Sequence, residues 1–155
     1  MNIYLVQHGK PIPKEENPDR PLSNQGKEDV DKVGSFLLRA GISVEDIFHS
    51  GKTRARETAE IILARLDPGK KPVQKTGLAP LDDVKAIAEE IKQSQKDLAI
   101  VGHLPHLAKL ASLLVTGIDS NHVVSFQQGG VVCLKYSDEE KVWMIAWMVV
   151  PEVVG

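Results

Sequence analysis

The stretch that decides the fold is Ile3-Tyr4-Leu5-Val6-Gln7-His8-Gly9-Lys10. Four apolar, strand-favouring residues run straight into a polar residue, a histidine and a glycine. Such a run bounded by a turn residue reads as a strand buried on both faces, as in a parallel sheet. The same pattern returns twice. Asp46-Ile47-Phe48-His49 leads into Ser50-Gly51-Lys52-Thr53-Arg54, and Leu98-Ala99-Ile100-Val101 leads into Gly102-His103-Leu104-Pro105. Between them lie amphipathic stretches of helix length. Ser23 to Ala40 has Ser23 as N-cap and Val30, Val33, Leu37 and Ala40 on one face. Thr53 to Leu66 carries the stripe Ala55, Ala59, Ile62 and Leu66, and Pro68-Gly69 ends it. Val84 to Ile91 and Pro105 to Val115 complete the helices, with a weak strand at Pro72 to Thr76. Val131 to Tyr136 and Lys141 to Val149 form a hairpin around Ser137-Asp138-Glu139-Glu140.

Alternating strands and helices specify an α/β fold, a three-layer α/β/α sandwich with a mostly parallel sheet. The closing hairpin adds an antiparallel part. The 155 residues are expected to form one domain over positions 1–155. The longest apolar run, Val142 to Val150, is far short of the roughly 20 residues that span a bilayer, and it reads as a buried strand. Lys10 to Leu22 holds four prolines and mixed charge, so it is a loop expected over or beside the site.

Composition narrows the function. Lysine plus arginine is 19 against 21 acidic residues, a net charge of −2. A balanced chain has no strong positive field, which disfavours nucleic acid as a partner. The single cysteine, Cys133, allows no disulfide within the chain. With no signal-like or membrane-length segment, the expected location is the cytoplasm, with no membrane partner. Oligomeric state is left open.

In open α/β sheets, ligands bind outside the carboxyl ends of the strands. Those ends carry His8 beside Gly9, His103 beside Gly102, and a glycine turn into a helix whose first turn holds Arg54. Helix N-termini there offer free N–H groups to an anion. Together these features describe a phosphate site. Arg54 and Arg56 are about 200° apart on a helix, so only one can face the strand ends; Arg54, nearer the start, is assigned to the site. His49, His106 and His122 have ordinary structural roles by default.

Rival phosphate chemistries fit less well. A P-loop ending in Gly51-Lys52-Thr53 needs a glycine where Asp46 stands. Cys133 lies within a strand and has no arginine shortly after it, so it reads as core. Asp29-Val30-Asp31 falls inside a helix. His8, His103 and His106 could instead form a metal-dependent hydrolase, but no third ligand sits at suitable spacing. Histidine remains as the nucleophile, with no metal and no cofactor.

These residues resemble the histidine phosphatase superfamily, which includes the phosphoglycerate mutases. Gln7-His8-Gly9 is similar to its Arg-His-Gly signature. Arg20-Pro21-Leu22-Ser23 with Gly26 is similar to its Pro-Leu-(Ser/Thr)-x-x-Gly helix start. Ser50-Gly51-Lys52-Thr53-Arg54-Ala55-Arg56-Glu57-Thr58-Ala59 resembles its Ser-Pro-x-x-Arg-Ala-x-Gln-Thr-Ala segment. His103-Leu104-Pro105 resembles the second histidine, in the form used by the small SixA-type phosphohistidine phosphatases. The resemblance implies a phosphoglycerate mutase-like fold. It implies that His8 carries the phosphoryl group, that Arg54, His103, Gln7 and Gly9 hold the phosphate, and that Gly9 permits the turn exposing His8. The partner it implies is a phosphohistidine-containing protein.

Two departures stand out. Gln7 replaces an arginine, which would cost about 1.5–3 kcal/mol of charged hydrogen bonding, or roughly ten- to a hundred-fold in rate. Lys10 and Lys52 are the nearby cations that could compensate. Gly51 replaces a proline, which should loosen the turn. No carboxylate stands where larger relatives place a general acid; Asp82 and Asp83 read as caps of the next helix. A phosphohistidine leaving group departs as an imidazole and needs little acid help. The expected activity is therefore a phosphohistidine phosphatase, with a small-molecule phosphomonoesterase or a weakly active phosphohistidine-binding module as alternatives.

Overall fold

The computed structural model describes all residues, 1–155. Its elements run in the order β1 (Asn2–Gln7), α1 (Asn24–Arg39), β2 (Asp46–His49), α2 (Thr53–Leu66), β3 (Val73–Gln74), α3 (Lys85–Ser94), β4 (Leu98–Gly102), α4 (His106–Thr116), β5 (Val131–Ser137) and β6 (Val142–Val149). The six strands form one sheet in the order β3-β2-β4-β1-β5-β6. β3, β2, β4 and β1 pair in parallel with one another, while β5 runs antiparallel to β1 and β6 antiparallel to β5.

Both faces are covered, which explains why β1 and β4 are almost wholly apolar. One core packs Val30, Val33 and Leu37 of α1 with Ala55, Ala59 and Ile62 of α2 against Tyr4, Val6 and Val101. The other packs Ile87 and Ile91 of α3 with Leu107 and Leu110 of α4 against Ile3, Leu5 and Ile100. Alternate residues of β1 serve opposite cores, as strand geometry requires. Ser23 caps α1 as expected, accepting from the Gly26 amide at 3.0 Å. Ala40, placed on the buried stripe by periodicity, is instead the exposed C-cap of that helix.

One expectation is overturned. Val142 to Val149 is not a buried strand: β6 is the sheet's edge, and Val142, Met144, Ile145 and Met148 are exposed. A bulge sets the pattern. Cys133 pairs with Trp147 and Leu134 with Ile145, so Ala146 has no partner across the ladder. The extra residue turns the strand over. Trp143 therefore joins the α3–α4 core while Trp147 packs toward the α1–α2 core, although four residues separate them.

Candidate active site

β2, β4 and β1 are neighbours, so their carboxyl ends lie side by side. His8 follows β1, and its amide donates to Gly102 O at 3.1 Å, extending the β1–β4 register by one residue. Its Nδ1 lies 2.7 Å from Gly9 O. A carbonyl only accepts, so Nδ1 carries the proton and Nε2 keeps its lone pair. This is the orientation a histidine nucleophile needs.

His103 follows β4 directly. Its ring lies 5.1 Å from that of His8, tilted by 50°. Ser50, at the end of β2, shares a 2.6 Å hydrogen bond between its Oγ and His103 Nε2. Ser50 Oγ also accepts from the Lys52 amide at 3.3 Å. Arg54 stands in the first turn of α2, while Arg56 points to solvent and pairs with Glu60 at 3.7 Å. The three sequence-assigned groups thus meet at one edge.

Burial dominates the electrostatics. His8 is 8% exposed and His103 2%. Desolvation lowers the His8 pKa to about 4, with Arg54 and Arg20 adding to the effect against the Gly9 hydrogen bond. His103 is lowered to about 3, first by burial and then by His8, Arg54, Lys52 and His106. Burial, and then Arg20, also lowers Arg54. Both histidines are neutral at neutral pH, so His8 can attack. Every ionised side chain acting on the pair is cationic.

Only four buried side-chain nitrogen or oxygen atoms in the chain lack a hydrogen-bond partner: Gln7 Oε1, Arg54 Nε, His103 Nδ1 and His106 Nδ1. Buried polar groups are normally satisfied. Three of the four belong to this one edge, a concentration expected where a polar ligand completes the bonding.

The glycines behave differently from expectation. Gly9 does not adopt a left-handed turn. A side chain there would lie 2.7 Å from Val30 Cγ2 and 3.1 Å from Gly26 O, so Gly9 lets the strand end seat closely on α1, and His8 stays buried. Gly51 does lie at φ +93°, a conformation closed to the proline of the resembling motif. Asp83 Oδ1 accepts from Lys85 N at the start of α3, and Asp82 Oδ2 closes a turn onto Ala79 N. His49 is buried and accepts from the Gly51 amide through Nδ1; His106 is buried and bonds Gly77 O; His122 is exposed. No three His, Cys, Asp or Glu side chains converge as metal ligands. Cys133 is buried, and desolvation raises its thiol to about 11.

Sequence reasoning assigned no role to Ser50, Thr58 or Arg20. Each lay inside a quoted motif, but only the packing shows that Ser50 meets His103, that Thr58 meets Gly9, and that the Arg20 Nε turns to Ile12 O.

A layered α/β sheet with paired, uncharged histidines and an arginine at its strand ends is the framework of a phosphoryl-transfer site. The chain belongs to the histidine phosphatase superfamily (branch 1), whose family model matches residues 3–82. An uncharacterized protein of Picosynechococcus sp. is 30% identical over 142 residues, covering 87% of this chain and 85% of that one. Among solved structures, the protein histidine phosphatase SixA complexed with tungstate matches with a TM-score of 0.85 at 19% identity, over 100% of both chains. A phosphoserine phosphatase from Entamoeba histolytica in complex with phosphoserine matches with a TM-score of 0.68 at 13% identity, over 95% of both. At these identities the structural likenesses are of fold. The expected phosphoglycerate mutase-like sandwich is the fold observed, and phosphatase chemistry follows from the family. No helix is long and apolar enough to cross a membrane.

Proposed function

We propose that the chain, as one histidine phosphatase domain over residues 1–155, removes the phosphoryl group from phosphohistidine on a protein in the cytoplasm, without a metal. His8 Nε2 attacks phosphorus in line with the scissile P–N bond. That bond breaks, the substrate ring, already protonated on its other nitrogen, leaves as neutral imidazole with the bonding pair, and the phosphoryl group is held on His8. Water then displaces it as inorganic phosphate, and His8 Nε2 recovers its lone pair. Arg54 and His103 hold the equatorial oxygens, with the Gln7 amide and the backbone at Gly9 completing the cradle.

One observation carries the choice of substrate. No carboxylate hydrogen-bonds His8 or His103, whose ring partners are Gly9 O and Ser50 Oγ, and none forms an ion pair with Arg54. An alcohol leaving group departs as an alkoxide and needs a proton donor. An imidazole leaves far more readily without one. The site is therefore suited to a phosphoramidate rather than a sugar or serine phosphate.

The test compares kcat/KM for a phosphohistidine-bearing protein with that for phosphoserine and an aryl phosphate. A strong preference for phosphohistidine supports the assignment. Equal or better turnover of phosphoserine would make the protein a phosphomonoesterase. Binding of the phosphoprotein without phosphate release would make it a recognition module.

A further inference from the structure

We propose that the open pocket between α2 and the turn at 68–72 binds a carboxylate, and that on a protein substrate this is an acidic side chain held beside the phosphoryl group. The carboxylate site itself does not depend on the phosphohistidine reading. It begins with His49, the last residue of β2, which is only 4% exposed. His49 Nδ1 accepts from the Gly51 amide at 3.1 Å. An N–H only donates, so Nδ1 holds a lone pair and Nε2 carries the ring proton. That Nε2–H has no partner in the protein, and Nε2 is not among the unsatisfied atoms sealed from solvent. The ring instead lines a pocket of about 540 Å³. A donor on so buried a side chain is normally bonded, so the pocket is where its acceptor belongs.

The rest of the lining is mostly charged. Arg56, Glu60 and Ala64 recur every fourth residue on one face of α2, and Lys70 and Lys71 come from the turn. Arg56 lies about 200° around the helix from Arg54, so the pocket is on the flank away from the phosphate-holding arginine. His49 ends β2 and Arg56 stands in the first turn of α2, so this pair marks the end of the pocket nearest the catalytic edge. Charge selects the ligand. Arg56 is matched by Glu60 at 3.7 Å and Lys70 by Asp46 at 3.8 Å, while Lys71 forms no ion pair. One uncompensated positive charge suits a singly charged carboxylate better than a phosphate dianion. At 3.7 Å Glu60 is too far to hydrogen-bond Arg56, so the guanidinium fork is open to a carboxylate. The ligand accepts from Arg56 and from the His49 Nε2–H, with Lys71 balancing its charge.

The experiment follows the His49 imidazole by proton–nitrogen NMR as acetate is added, with chloride and inorganic phosphate as controls at matched ionic strength. Acetate should shift the His49 Nε2 signal saturably. Arg56→Gln and Lys71→Gln should each weaken acetate binding by about threefold or more, and Glu60→Gln should tighten it. These three side chains are exposed, so the variants keep the fold. His49→Asn, followed at the Arg56 Nε–H, retains an acceptor for the Gly51 amide but should lose acetate. No saturable shift, an equal shift with chloride, or tighter binding of phosphate than of acetate at His49 would overturn the carboxylate site. Kinetics on a phosphohistidine protein then identify the source of the carboxylate. A raised KM with unchanged kcat in Arg56→Gln and Lys71→Gln supports the substrate's own acidic side chain. An unchanged KM despite weakened acetate binding assigns the pocket to a free small carboxylate and overturns the substrate contact. Failure of the phosphohistidine reading looks different: wild type would not turn over that protein, while the acetate titration would still decide the pocket.

Discussion

The Thr58 hydroxyl joins the two halves of the site: Thr58 Oγ1 accepts from the Gly9 amide at 3.0 Å and donates to Arg54 O at 2.7 Å. Thr58 is fully buried, so both bonds are shielded from water. One hydroxyl thus sets the spacing between the strand end that carries His8 and the helix turn that carries Arg54. Thr58→Val keeps the shape and removes both bonds. The expected cost is about 1–3 kcal/mol of stability, because the Gly9 amide is left unsatisfied. Turnover should fall further than a control core variant of equal Tm loss. Melting curves and kcat measured on both variants check this.

His8→Ala should abolish turnover. Rapid denaturation of the wild-type reaction should trap an acid-labile phosphoryl group on His8, since its Nε2 is the free nucleophilic atom. Peptide mapping that finds the label on Cys133 or a serine would remove His8 from the nucleophile's role.

The buried histidines give a defined pH response. His8 and His103 have pKa values near 4 and 3, against 6.5 when free. Between those values the unfolded chain binds more protons than the folded one. Their contribution is therefore complete above pH 6.5 and is lost as the pH falls toward 4 and then 3. Tm should fall across that window. Imidazole NMR shifts of both residues should stay those of the neutral form at pH 5.5; a His8 midpoint near 6.5 would contradict the burial seen here.

Turnover should survive extended dialysis against a chelator. Metal-assisted hydrolysis requires several converging ligands, and His8, His103 and His106 gain no acidic or cysteine partner. Loss of activity restored by zinc or manganese would refute metal independence.

Much of this was legible in the sequence because the sheet is covered on both faces. Ile3–Val6 and Leu98–Val101 had to be buried runs, and the residues after them had to meet at one edge. Charge position within α2 separated Arg54 from Arg56 by helical geometry alone. What was not legible depends on tertiary closure. The run Val142–Val149 has the composition of a central strand, and nothing local reveals that it ends the sheet or that Ala146 interrupts its alternation. Arg20 to Leu22 lie in a proline-rich loop without periodicity, so nothing local reveals that this loop is tied to α2 through the Leu22 amide and Glu57.

The Ala146 bulge also bears on how this protein avoids sticking to itself. β6 carries eight residues without a single charge, and its outer backbone has no neighbouring strand. Such an edge is a template for adding another chain, which proteins commonly block with lysine, proline or a local twist. Here there is no lysine or proline within the strand, and the bulge supplies the twist. Removing Ala146 would regularise the ladder, turn Trp143 away from the core that holds it, and leave a straight, uncharged border open to fibre-like growth.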